Sequence, residues 1–211
     1  MKVEIWSDIQ CPFCYIGKRH FEEALSQVKT ETPIDIEWKS FQLDPEMENR
    51  PDIDVYTYLA ERKGQTREWS VAMHNNVTEM ARAAGLDYRF DIAVPANSFK
   101  AHRLIQMAKK TGKDNEIEEL LFKAYFTEGK NMNDDAILAD IGEQAGLEKA
   151  AILHMLSSDE FTDEVNQDIT EASRLGIRGV PFFVFDRKYA VSGAQPPEVF
   201  AGAIQQAIAG E

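Results

Sequence analysis

The only two cysteines of the chain, Cys11 and Cys14, have two residues between them and lie where a strand pattern passes into a helical one. Residues 3–6 are rich in β-branched and aromatic types, and an amphipathic helical pattern runs from about 12 to 28. A disulfide that closes so short a loop removes little entropy from the unfolded chain, so it is a poor structural staple. The pair therefore indicates chemistry at the start of a helix.

This placement suits thiol–disulfide exchange. The thiolate is the attacking form of cysteine, and the unpaired N–H groups and dipole of a helix N-terminus stabilise an anion there. Cys11 would attack a substrate disulfide, and Cys14, a turn further along, would resolve the mixed disulfide that forms. We therefore predict that Cys11 and Cys14 are the catalytic residues.

Two other interpretations of the cysteine pair are weaker. A structural zinc site needs two further ligands, and the four histidines of the chain form no closely spaced pair, so we predict no metal site. Idle core cysteines are common, because free Cys is among the most buried residue types. Two cysteines enclosing Pro12 at a strand-to-helix junction fit a redox motif better.

The rest of the chain predicts an α/β protein with a long helical segment. Residues 34–41 alternate as a second strand, and roughly 54–159 carries amphipathic helical stretches that end at glycines. Further on, 179–185 and 189–193 predict a β-hairpin with a charged turn, and prolines 196–197 begin a last helix. The predicted order is β, α, β, helical block, α, β, β, α.

We accordingly place a mixed-sheet domain at residues 1–45 and 165–211, and a helical insertion at 46–164.

The formal charge of −13 disfavours nucleic acid and anionic membrane surfaces as partners. No apolar run approaches the roughly 20 residues of a membrane-spanning helix. The amino-terminal residues lack the features of a secretory signal, so we expect a cytoplasmic protein.

Proline 181 opens the apolar segment that begins the hairpin. A proline there gives up a ladder hydrogen bond, so it belongs at the first residue of a strand or at an edge. Taken alone, the Val180–Pro181 bond would be expected in trans, because only about 5–6% of such bonds are cis.

The sequence resembles the DsbA group of thioredoxin-like proteins, and within it the cytoplasmic FrnE-like branch. The likeness lies in residues 8–17, in Asn97-Ser98 with residues 101–103, and in residues 176–184. It extends over essentially the whole chain. The resemblance implies a thioredoxin-like fold with a large all-helical insertion, a redox-active cysteine pair, and a cis Val180–Pro181 bond that faces the pair.

Further site residues follow from this resemblance. Val180 and Pro181 would bind the backbone of an extended substrate, and we add Pro12 and Phe13, between the cysteines, to the substrate-binding residues. No cofactor is expected to be bound, and glutathione is a candidate co-substrate.

The sequence gives weaker support to four more candidate site residues. Asn97 and His102 are candidates for orienting a ligand over the cysteines, although a helix cap and a packed side chain explain them more simply. Some thioredoxin-like proteins bury an acid near the second cysteine. The first strand offers no clear counterpart, which leaves Glu37 or Lys39 of the second strand.

The predicted function is a thiol–disulfide oxidoreductase that acts on protein or peptide thiols and disulfides, with a homodimer through the helical block as a further hypothesis. The resemblance extends to 2-hydroxychromene-2-carboxylate isomerases and kappa-class glutathione transferases, which carry serine where this chain has Cys11. A glutathione-dependent isomerase or transferase for a small aromatic substrate is therefore one alternative. A non-catalytic peptide-binding chaperone is the other.

Overall fold

The computed structural model describes residues 1–210, and a four-stranded mixed sheet in the order β2-β1-β3-β4 lies at its centre. The strands are β1 (Lys2–Ser7), β2 (Asp35–Ser40), β3 (Phe182–Phe185) and β4 (Tyr189–Ser192). β1 is parallel to β2 and antiparallel to β3, and β3 pairs with β4 through the predicted charged turn.

Nine helices accompany the sheet within this described part. They are α1 (Pro12–Gln27), α2 (Val55–Lys63), α3 (Arg67–Ala83), α4 (Phe99–Lys109), α5 (Asp114–Phe126), α6 (Asp135–Gln144), α7 (Lys149–Leu156), α8 (Thr162–Arg174) and α9 (Pro197–Ala209). The element order is the predicted one, with α2–α7 as the helical block. The boundary predicted at residue 164 falls inside α8. None of the helices in residues 1–210 has the length and apolar character needed to cross a membrane.

The pleat of β1 gives the sheet two different faces. Ile5 points into the main core with α1 and α9, whereas Trp6 packs against Ala172 of α8 on the other side. The Trp6 face also carries charge, because Glu4 is buried there and pairs with Arg187 of the β3–β4 turn. The helix α1 and the Glu4–Arg187 ion pair therefore lie on opposite faces of the sheet.

The helical block packs directly onto this sheet. Aromatic rings join the two, with Tyr15 of α1 stacked on Phe122 of α5 at 4.9 Å between ring centroids. Tyr88, in the α3–α4 connection, stacks on Phe126 at 4.5 Å. All four rings belong to a hydrophobic core that also contains strand residues such as Ile5. These ring contacts anchor the helical block to the sheet domain.

The Val180–Pro181 bond is cis, as the resemblance implies. The proline ring lies against α1 at Gly17, where an added Cβ would stand 2.9 Å from Pro181 Cγ and 3.5 Å from Ala194 Cα. Cβ contacts are essentially never that short, and a proline ring atom cannot rotate away. Gly17 therefore allows α1 to approach the loop that precedes β3.

We predict that Gly17→Ala lowers the free energy of unfolding by about 1 kcal/mol or more. Overpacking costs about 1–3 kcal/mol, which outweighs a gain of up to about 1 kcal/mol in helix propensity. The matched control is Gly202→Ala in α9, where an added Cβ meets nothing within 4 Å and the propensity gain stands alone. Urea denaturation measures both, and equal stabilisation by the two substitutions would contradict the steric argument.

Candidate functional site

The cysteine pair sits at the amino-terminal end of α1. Cys11 is the N-cap residue with extended backbone angles, and Cys14 lies in the first turn. The backbone N–H of Cys11 donates to the carbonyl of Asp8 at 2.9 Å, which fixes the turn between β1 and α1. Both residues are free thiols. The structure thus places both cysteines at the helix N-terminus, where backbone N–H groups lack intrahelical partners.

The two thiols differ in access. Both cysteines are buried, but Cys11 lines a cleft that opens to solvent, whereas Cys14 does not border it. Burial raises the pKa of the Cys14 thiol well above its ordinary value, and the neighbouring Cys11 raises it further. Cys11 is therefore the cysteine that the cleft reaches, and the roles predicted for the two thiols stay predictions.

The predicted substrate-binding residues surround Cys11. The Cys11 thiol donates to the carbonyl oxygen of Val180 at 3.3 Å, so the cis-proline loop faces the pair directly. Phe13 is exposed at the surface beside it. The carbonyl of Pro12 accepts a hydrogen bond of 2.7 Å from the Tyr88 hydroxyl, which ties the motif to the helical block.

A cleft of about 520 Å³ opens beside Cys11, between the start of α1 and helices α2 and α3. Apolar and aromatic side chains make up much of its lining, among them Phe13, Leu43, Val55, Trp69, Met73, Val77, Phe90 and Tyr125. Three cations, Arg62, Lys63 and Arg178, also line it. Such a mixture of apolar surface and a few charges is typical of ligand sites.

The three cations are not equivalent. Arg62 is neutralised by Asp44, whose carboxylate lies 3.2 Å from its Nε atom. Lys63 and Arg178 are exposed and form no ion pair with any other residue in 1–210. Two uncompensated positive charges therefore flank the cleft of a protein whose net charge is −13.

A buried polar cluster lies at the end of β1, the strand that leads into the cysteine motif. Ser7, the last residue of β1, donates from its hydroxyl to Glu118 Oε1 of α5 at 2.7 Å. Glu118 is buried, and its other oxygen, Oε2, has no hydrogen-bond partner among residues 1–210. Burial raises the pKa of Glu118 to about 7, because the ionised carboxylate is disfavoured there.

Asp8 and His102 complete the cluster. His102 Nε2 lies 3.4 Å from Asp8 Oδ1, and the backbone N–H of Leu43 donates to Asp8 Oδ2 at 2.8 Å. Burial opposes ionisation of Asp8, but His102 and this N–H outweigh it and hold the pKa of Asp8 below its ordinary value. The cluster is shielded from solvent, since all four of its residues are buried.

Two predicted ligand-orienting residues lie away from the cleft lining. Asn97 accepts from the backbone N–H of Phe99 at 2.9 Å and donates to two loop carbonyls, so it organises the start of α4. His102 is buried against Asp8. The contacts of both are structural, and their role toward a ligand stays a prediction.

The expectation that Glu37 or Lys39 approaches the second cysteine is wrong. The pleat places both side chains on the α8 face, where Lys39 Nζ lies 3.1 Å from Asp168 Oδ1. The buried acid that contacts the end of β1 is instead Glu118 of the insertion, which the sequence reasoning missed. A signal was present, because Glu118 lies on the same helical face as Leu121 and Phe122, where a charged residue is unexpected.

The described part of the chain contains no cluster of metal-binding side chains. Residues 1–210 contain no group of three or more His, Cys, Asp or Glu side chains that could hold a metal ion. The candidate site consists of the two thiols, the cleft and the buried acid.

Comparison with solved structures supports this reading of the fold. The probable DsbA oxidoreductase SCO1869 from Streptomyces coelicolor superposes with a TM-score of 0.93 at 38% identity, covering 100% of this chain and 91% of that chain. The cytosolic disulfide reductase DsbM from Pseudomonas aeruginosa superposes with a TM-score of 0.72 at 14% identity, and each chain is covered fully. A second structure of DsbM contains GSH.

Comparison of sequences also relates the chain to known proteins. YwbO, an uncharacterized protein of Bacillus subtilis (strain 168), is 28% identical over 204 residues, which are 96% of this chain and 94% of that protein. The model of the DSBA-like thioredoxin domain matches residues 2–205. The chain therefore belongs to the family of DsbA-like thioredoxin-fold proteins.

Proposed function

We propose that this protein is a dithiol oxidoreductase in which Cys11 exchanges disulfides with a substrate and Cys14 resolves the intermediate. The observation that carries the proposal is the asymmetry of the pair. Cys11 borders the cleft and faces the Val180 carbonyl, whereas Cys14 is sealed one turn behind it. A substrate can therefore form a mixed disulfide with Cys11 only, and Cys14 is held ready to displace it.

The exchange runs in two balanced steps. The Cys11 thiolate attacks one sulfur of the substrate disulfide, and the other sulfur leaves as a thiolate. Cys14, after losing its proton, attacks Cys11, which forms the Cys11–Cys14 disulfide and releases the second substrate thiolate. The substrate gains two electrons and the cysteine pair loses them. A thiol reductant restores the pair, and the reverse sequence introduces disulfides.

The cis-proline loop provides the place for the substrate backbone. The Val180 carbonyl already accepts from the Cys11 thiol, so an extended segment bound beside Val180 and Pro181 would bring its sulfur next to Cys11. Pro181 offers no N–H that would compete there. Phe13, exposed beside the cysteines, adds apolar contact area.

We infer that protein or peptide disulfides are the substrates and that glutathione is a candidate reductant. The structure of DsbM with GSH, a fold relative, supports the second part. The same fold relative is cytosolic, which supports the expected cytoplasmic location of this chain. The homodimer through the helical block stays a hypothesis.

Substitution of each cysteine tests the proposal. We expect Cys11→Ser to abolish reduction of a model protein disulfide by glutathione, because no nucleophile remains at the cleft. Cys14→Ser should also lose turnover but accumulate a covalent mixed disulfide, visible as an added substrate mass under non-reducing conditions. A wild-type protein without disulfide activity would contradict the proposal. Glutathione-dependent turnover of an aromatic substrate that survives Cys14→Ser would favour the isomerase or transferase alternative.

The two unpaired cations predict a preference for acidic substrates. We expect Arg178→Glu and Lys63→Glu each to lower kcat/KM for an acidic peptide disulfide by up to about fivefold, since exposed charge pairs contribute about 0.2–1 kcal/mol. The effect should shrink at high salt. Lys29→Glu is the matched control, because Lys29 is exposed beyond the far end of α1 and undergoes the same charge change. Equal effects of all three substitutions would show that net charge alone acts.

A further inference from the structure

Gln10 carries a polar atom that is buried and has no hydrogen-bond partner. Four such side-chain nitrogen or oxygen atoms occur in residues 1–210, and they belong to Gln10, His102 and Glu118. His102 and Glu118 are members of the buried cluster at the end of β1. Of the three residues, only Gln10 lines the cleft beside Cys11. Its amide nitrogen, Nε2, is therefore an unused donor at the cleft.

The unpaired amide of Gln10 calls for a reason beyond packing. A buried donor without an acceptor costs free energy, because it has given up its hydrogen bonds to water and gained none. Native proteins keep few such atoms. An apolar side chain of similar size would fill the same space without that cost. A ligand that supplies an acceptor in the cleft gives the reason that packing does not.

The backbone of Gln10 is held in place beside Cys11. Its N–H donates to Asp8 Oδ1 at 3.4 Å, and the next N–H, that of Cys11, donates to the Asp8 carbonyl at 2.9 Å. Asp8 is itself fixed by the N–H of Leu43, which donates to Oδ2 at 2.8 Å. The Gln10 side chain therefore extends from a fixed point, and a preorganised group loses little entropy when it binds.

A backbone carbonyl of the substrate is the acceptor that fits this donor. A peptide joined to Cys11 through its own cysteine has carbonyl oxygens close to the sulfur whatever its sequence. A carboxylate of the substrate would instead be drawn to Lys63 and Arg178, which are exposed and form no ion pair within residues 1–210. The neutral amide of Gln10 is thus left for a neutral acceptor.

The two groups next to Cys11 also complement each other. The Val180 carbonyl, which accepts from the Cys11 thiol at 3.3 Å, belongs to the cis-proline loop and does not line the cleft. Cys11 therefore has an acceptor on the loop side and the Gln10 donor in the cleft. Peptide units carry both an N–H and a C=O, so an extended peptide can use both groups, whereas a disulfide without amides can use neither N–H nor C=O.

We propose that Gln10 is a specificity-determining residue whose amide donates to a backbone carbonyl oxygen of the substrate beside its reacting cysteine. This inference rests on the proposed function and deepens it, because it selects polypeptide disulfides over small disulfides that lack amide groups. The hydrogen bond forms only when a peptide occupies the cleft, and it holds the substrate sulfur beside Cys11.

Two uncharged disulfides separate this role from general thiol reactivity. One is the symmetric disulfide of a blocked peptide, N-acetyl-Ala-Ala-Cys-Ala-Ala-amide, and the other is bis(2-hydroxyethyl) disulfide, which has no amide. Each is mixed in excess with reduced protein at pH 8, and samples are quenched in acid. Mass spectrometry then gives the second-order rate constant for loss of the reduced form. The quantity compared among variants is the ratio of the peptide rate constant to the small-disulfide rate constant.

In Gln10→Leu we expect this ratio to fall by about two- to tenfold, the range for loss of one hydrogen bond. Gln10→Glu keeps the shape of the side chain but is an acceptor only when ionised, so it should lower the ratio similarly. Its new charge slows attack on both disulfides, and the ratio removes that common effect. Gln27→Leu is the matched control, because Gln27 is exposed near the other end of α1 and already donates to Glu23 Oε1 at 3.2 Å.

Thermal unfolding distinguishes a binding role from a structural one. Gln10→Leu removes a buried unpaired group, so we expect its Tm to equal or exceed that of the wild type. A lower Tm with equal loss of rate toward both disulfides would overturn the proposal, as would an unchanged ratio in Gln10→Leu. A ratio retained in Gln10→Glu would show that the amide is not needed as a donor and would overturn it too.

Failure of this inference is distinguishable from failure of the proposed function. A wild-type protein that reacts with neither disulfide would overturn the dithiol function itself. A wild-type protein that reacts with both, with the same ratio in every Gln10 variant, would leave that function intact and remove only the role of Gln10. If Gln10→Leu does not fold, Gln10→Glu gives the same comparison.

Discussion

The close approach of α1 to the cis-proline loop is the contact on which the site depends. Gly17 lets the helix lie against Pro181, and this sets how near the Cys11 thiol comes to the Val180 carbonyl. The helix supplies the two thiols, and the loop supplies the groups that a substrate backbone would contact. The two elements form one site only because the helix packs against the loop. The Tyr88 hydroxyl adds a second tether by holding the Pro12 carbonyl from the helical block. The motif is thus fixed from both sides.

Much of this arrangement could be predicted from the sequence because its signals are local. The Cys11–Cys14 spacing at a strand-to-helix junction, the proline at the entry to β3 and the charged turn between β3 and β4 lie within short segments. Each is governed by backbone geometry that neighbouring residues determine. The structure accordingly has the expected element order, although the domain boundary placed at residue 164 falls inside α8.

The buried acid could not be predicted in the same way. Whether a strand residue faces α1 or α8 depends on how the sheet is covered, and nothing local to β2 shows that Glu37 and Lys39 join the ionic network with Asp168. Glu118 stands 111 residues from Ser7, and only packing of the block on the sheet brings the two together. Its one sequence signal, a charge on an apolar helical face, indicates a special role but not a partner.

Burial of Glu118 also makes the stability of the folded protein depend on pH. Its pKa is 4.5 in an ordinary environment and about 7 in the folded protein, so the folded state holds a proton that the unfolded state has lost between these values. Below pH 4.5 the group costs nothing through this linkage. As pH rises from 4.5 to about 7, the lost stability grows to about 3 kcal/mol, at about 1.4 kcal/mol per pKa unit, and above pH 7 it stays constant. A neutral glutamine would avoid that loss, so stability alone gives no reason for an ionisable acid here.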